Sequence, residues 1–127
     1  MKKLAFLLMA VLFATLPMAA AEKVGVATFK ETSHDFGYVK EDKGPVTHYF
    51  EFKNTGDGPL LIISAVAMCG CTRPDYPKNP LKPGESGKIK VTYNPKGRPG
   101  SFNKTVTVRT NGKAVHLKIK GTVVPEK

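Results

Sequence analysis

The chain has no tryptophan, only two cysteines in 127 residues, and 10 acidic residues against 20 basic ones. Each shortage narrows the reading. Two cysteines cannot make the multi-bridge framework that holds very small secreted domains. The shortage of acid leaves a formal charge of +10, a balance found in proteins that bind nucleic acid, anionic lipid or acidic polysaccharide. The basic residues do not cluster that way. They are spread at alternate positions, such as Lys88 and Lys90 or Lys118 and Lys120, as on the wet faces of strands. No basic run is interleaved with aromatics, and nucleic acid is not expected as a partner. G-x-S-x-G, H-E-x-x-H and a glycine-rich phosphate loop opening a helix are all absent. The expectation is therefore a protein that is not an enzyme and has no resident cofactor, apart from copper or zinc at the cysteines.

Long apolar runs are also missing. The longest, residues 4–16, falls short of the roughly 20 residues a membrane-crossing helix needs. Lys2 and Lys3 precede it, Pro17 breaks it, and Ala19-Ala20-Ala21 offers a small-residue cleavage site before Glu22. This is the pattern of a secretory signal peptide over residues 1–21. It predicts an exported chain, periplasmic or secreted, with one domain over residues 22–127 and no membrane span after cleavage. No cysteine lies near the cleavage point, so a lipoprotein is not expected. Loss of Lys2 and Lys3 lowers the formal charge to about +8.

What remains reads as short strands. Val46, His48, Phe50 and Phe52 alternate with polar residues, and so do Ile89, Val91 and Tyr93, then Val115, Leu117 and Ile119. Residues 60–68, LLIISAVAM, are apolar on both faces and read as a strand covered on both sides or a short buried segment. Residues 69–87, with Pro74, Pro77, Pro80 and Pro83, read as irregular. Asn111-Gly112 is a two-residue hairpin signal of the type I′ kind. About seven strands with no helical period predict an all-β fold, an antiparallel β-sandwich, with a small barrel as competitor. The expected core is large enough to stand without a disulfide, because each buried side chain of this kind contributes roughly 1.5–3 kcal/mol.

The segments HDFGYV, FEFKNTGDGPLLI, CGCT, LKPGESGKIKVTYNPKGRPGSFNKTVTVRTN and LKIKGTV, over about residues 29–124, together resemble domain-of-unknown-function family 1573. That bacterial family is placed among the Ig-like domains related to the major sperm protein and abnormal-spindle/Hydin domains. The resemblance implies a seven-stranded Ig-like sandwich and export; it implies no enzyme. Phe50, Phe52, Asn54, Gly56, Pro59, Gly70, Gly84 and Gly87 carry its motif. Asn54 and Gly56 suit an Asx-turn with positive φ, Gly84 and Gly87 bracket another turn, and Pro59 fixes the entry of a strand.

Both cysteines lie in MCGCT, residues 68–72. An ideal strand would set the Cα atoms of Cys69 and Cys71 about 6.6 Å apart, near the upper disulfide limit of about 6.8 Å. Gly70 is the residue that could bend the backbone and shorten the gap. Such a bond would be strained and reducible, and its small loop adds less than about 2 kcal/mol. Two thiolates also suit Cu(I) or Zn(II), with Met68 and His48 as weaker ligands. Free structural thiols or a bond to another chain are the remaining readings. Lys96 and Arg98 form the one compact basic run, a candidate site for an anionic glycan, against a solvated turn. The function expected is a non-catalytic binding or assembly module of the cell envelope, with an envelope protein or anionic glycan as partner. The alternative is a small thiol-redox or copper- and zinc-binding protein centred on Cys69 and Cys71.

Overall fold

A computed structural model describes residues 23–125; the predicted leader lies outside them. The described residues form eight strands: β1 (Ala27–Phe29), β2 (Ser33–Lys40), β3 (Val46–Asn54), β4 (Ile62–Ala67), β5 (Thr72–Asp75), β6 (Ser86–Tyr93), β7 (Gly100–Thr110) and β8 (Val115–Val124). They make two four-stranded sheets, ordered β1-β3-β6-β5 and β2-β8-β7-β4. All pairings are antiparallel except β2 with β8. The fold is thus an all-β sandwich, as the alternation predicts.

Alternation works because successive side chains of a strand point to opposite faces. Phe50 and Phe52 of β3, Ile89, Val91 and Tyr93 of β6, Phe102, Val106 and Val108 of β7, and Leu117 and Ile119 of β8 are all buried between the sheets. Tyr93 and Phe102 stack across the middle, with ring centroids 4.0 Å apart and planes 10° apart. The first strand is divided between the sheets. The chain leaves β1 at Lys30, whose N–H donates to the Glu51 carbonyl, and joins the other sheet where Thr32 accepts from the Lys118 N–H. Gly37 (φ 72°) marks the register shift in β2, with its N–H on the Asp35 carboxylate at 2.8 Å. Only glycine adopts that φ without strain.

Four sequence readings need correction. The stretch read as irregular holds a strand, β5, which brings the expected count of about seven strands to eight. Pro74 is tolerated there since β5 is an edge strand, where a missing N–H costs no ladder bond. The apolar segment read as covered on both sides is also an edge strand: Ile62 is buried, but Ile63 and Val66 on β4 are 55% and 57% exposed. The type I′ turn does not form, since neither Asn111 nor Gly112 has positive φ. Asn111 is used elsewhere: its amide donates to the Pro59 carbonyl and accepts from Leu61 N–H, tying the approach to β4 to the β7–β8 loop. Gly56 also lacks positive φ. It is needed for close approach, because a Cβ there would stand 2.6 Å from the Val24 carbonyl oxygen and the Val26 nitrogen. Gly84 does lie in a turn at φ 90°, while Gly87 belongs to β6, packed against the Phe52 ring.

Asn54 ends β3 and is fully buried. Its Oδ1 accepts from the N–H groups of Gly56 (2.9 Å) and Val26 (3.1 Å), and its Nδ2 donates to the carbonyls of Gly58 and Leu81, both at 2.9 Å. The expected Asx-turn is present, and the same side chain also binds two other segments, the approach to β1 and the approach to β6. Asn54, Gly56 and Pro59 are thus parts of one hydrogen-bonded corner of the fold.

Candidate functional site

Three places bring chemistry-bearing residues together. The largest is the outer face of β4. Its inward residues Ala65 and Ala67 pack on the core, so Val66 points out, opposite Thr107 of β7. Met68, just past the strand, is 97% exposed. The register shift between Ile62 and Ser64 turns Ile63 outward as well. Beyond this apolar margin the face becomes basic: Arg109 lies opposite Ser64, and Lys118 lies opposite Thr105. Among the described residues β4 has a neighbour on one side only. The Tyr76 hydroxyl donates to the Ile63 carbonyl at 3.3 Å and covers the start of that edge. The other edges are protected in known ways: β1 has three residues, β5 carries Pro74, and β2 is bulged, with Ser33, Asp35 and Lys40 exposed beside Tyr38.

The cysteine turn follows directly. Cys69 and Cys71 are joined by a disulfide with a Cα–Cα distance of 5.1 Å, inside the usual span of about 4.4–6.8 Å. The separation is shorter than a strand would give because the chain turns here: Thr72 N–H donates to the Cys69 carbonyl at 3.1 Å. Gly70 is exposed in that turn, without positive φ and with open space where a Cβ would be, so the turn does not depend on glycine. Cys71 is buried while Cys69 is half-buried, and the Cys71 N–H points at the Cys69 sulfur at 3.1 Å. Reduction of this bond is expected to lower the unfolding free energy by less than about 2 kcal/mol, since the loop it closes is minimal. Urea unfolding with and without reductant measures it, and a loss well above that value would make the bond structural.

The third place joins residues distant in sequence. His48 faces inward on β3 as predicted, but at the margin of the core, where its ring stacks on His34 of β2 with centroids 3.6 Å apart. Its Nε2 lies 3.3 Å from a Glu31 carboxylate oxygen. Burial and the neighbouring His48 push the His34 pKa below 6.5, against the opposing pull of Glu31 and Asp35. Met68 and His48 thus do not stand together around the cysteines as one set of ligands: Met68 lines a hollow with Cys69 and Lys104, and His48 belongs to a group with Glu31 and His34. Sequence reading took His34, like His48, as a candidate ligand for the cysteines and missed Glu31; only the division of the first strand brings both to His48.

The basic run is not a uniform cationic patch. Lys96 and Arg98 are exposed in the turn before β7, but Glu41 accepts from the Gly97 N–H at 2.8 Å, and Glu41 and Asp42 line the same hollow as Lys96. Mixed charge weakens attraction for a polyanion.

A family model described as "Protein of unknown function (DUF1573)" matches residues 27–123. The chain belongs to that family. None of the curated proteins compared matches this DUF1573 chain. Among solved structures it is similar to a protein of unknown function from Porphyromonas gingivalis W83, at 19% identity and TM-score 0.69, over 95% of this chain and 53% of that one. It is also similar to the chaperone DraB from E. coli (14%, TM-score 0.54, 80% and 56% covered) and to the secreted serine protease VesC from Vibrio cholerae (16%, TM-score 0.53, 78% and 23% covered). The chain spans between 23% and 56% of the length of these three structures. At such identities the likeness is one of fold. It joins this DUF1573 sandwich to proteins with different activities, so function must be argued from its own surface.

Proposed function

We propose that this DUF1573 protein is an exported, non-catalytic binding or assembly module of the Ig-like kind, and that it holds an extended segment of an envelope protein along β4. The observation that carries this is an edge strand with two exposed apolar side chains, Ile63 and Val66, and a third, Met68, just past its end, beside a basic sheet face. An exposed apolar edge strand invites aggregation unless something pairs with it. Strand addition satisfies the edge through main-chain hydrogen bonds and reads alternate side chains. The chemistry of the partner follows from the face: apolar side chains at alternate positions to meet Val66 and Met68, and an acidic one reaching across Ser64 toward Arg109, two strands away at about 4.8 Å per strand.

Selection of displayed linear peptides on the purified protein tests this, with Val66→Lys/Met68→Lys as the counter-target. Both substitutions are on the surface and leave the core intact. The expected result is enrichment of alternating apolar and acidic sequences that bind the original protein and not the variant. Peptides that bind both equally, or no enrichment, would overturn the reading.

A second reading has its own observation. The Cys71 N–H on the Cys69 sulfur would stabilise a thiolate there after reduction, which suits thiol exchange at Cys69. Equilibration in glutathione buffers distinguishes it: an exchange role needs a potential within reach of such buffers, whereas a bond that stays oxidised throughout is inert.

A further inference from the structure

Glu31, His34 and His48 stand apart from the β4 face and the cysteine turn, and neither role proposed above uses them. We propose that they form a cation site of the zinc and copper(II) class. Each offers one ligand atom, and these atoms all lie within 4.8 Å of one another. They come from three places in the fold: the crossover between β1 and β2, β2 itself, and β3 of the opposite sheet. The 3.3 Å between His48 Nε2 and Glu31 Oε2 already matches the edge of a tetrahedron with bonds of about 2.0–2.1 Å, which is roughly 3.3 Å.

The remaining closure falls to His34. Its ring is parallel to that of His48, 8° apart, whereas a shared metal needs both in-plane lone pairs to converge. The two rings must therefore fan apart. Phe36 and Phe50 meet the two imidazoles edge-on, each with centroids 4.7 Å away, and pack beside the rings that must move. Two imidazoles and a carboxylate suit zinc and copper(II), whereas the sulfur ligands that select Cu(I) are not part of the group. Three protein ligands leave a position for water or for a donor from another molecule. A bound cation would tie the two sheets together where the first strand crosses between them.

Calorimetric titration of tag-free protein with zinc, and separately with copper(II), tests the site at a pH above the imidazole range. The expected result is one cation per chain, with the His34 and His48 ring resonances shifted by zinc and broadened by paramagnetic copper(II). His34→Ala and His48→Ala should each weaken binding at least about tenfold, a loss seen even for outer-shell partners. Glu31→Gln should weaken it too, and Cys69→Ser/Cys71→Ser should leave it unchanged. Absence of saturable binding would overturn the proposal, as would binding that leaves the His34 and His48 resonances unmoved in the unaltered protein. The resonance readout holds even where a variant fails to fold.

Discussion

Asn54→Ala is expected to lower the unfolding free energy by about 4 kcal/mol, because four buried or part-buried main-chain groups lose a hydrogen bond, the Leu81 carbonyl keeping its bond from the Leu60 N–H, and each orphan costs roughly 1–3 kcal/mol. The groups are the N–H of Val26 and Gly56 and the carbonyls of Gly58 and Leu81. They belong to the approach to β1, the turn after β3 and the approach to β6, so the loss spreads over three segments. Asn54→Asp sharpens the test. It keeps the shape and the two accepted bonds, but turns a carboxylate oxygen toward two carbonyls. The protonated form is favoured in that site, so its folded pKa is raised. Its stability should then be highest below the ordinary carboxylate range and fall as pH rises through the folded value. Urea midpoints measure both. A change below about 1 kcal/mol in Asn54→Ala would mean that water replaces the amide at little cost.

Phe102→Ala should cost about 3–5 kcal/mol, the range for an aromatic removed from a core. Phe102 belongs to the sheet of β7 and stacks on Tyr93 of the other sheet, while Phe36 meets it at 6.4 Å. Its removal opens a void between the sheets that neighbours on rigid strands cannot fill. Tyr49→Ala, on the exposed outer face of β3, is the control, expected to change stability by less than about 1 kcal/mol. Equal losses in the two variants would contradict the placement of the core.

Much of this architecture was legible in the sequence because β3, β6 and β8 each have one wet face, and polar residues mark it. β4 was not. An apolar residue on an outer face looks the same in sequence whether protein covers it or solvent does, and Ile63, Val66 and Met68 were read as covered for that reason. β5 was hidden by prolines that an edge position tolerates. Asn111 read as a turn former, yet its side chain holds Pro59 and Leu61, some fifty residues earlier in the chain. The Cys-Gly-Cys spacing showed that a local bond was feasible, but the turn that shortens it depends on Thr72 closing onto Cys69. Glu31, His34 and His48 carry no spacing signal. They meet only because the first strand divides between two sheets, which is a property of the whole fold.

The claim that matters most for function is that β4 is a docking strand. A photo-crosslinking residue placed at Val66, with another at Tyr49 on the opposite sheet as reference, tests it in the cell envelope. The account expects a discrete cross-linked species from Val66, mapping to an extended segment of the partner, and none from Tyr49. It also expects Met68→Lys to abolish that species. Equal cross-linking from the two positions, or a Val66 product that persists in Met68→Lys, would contradict it.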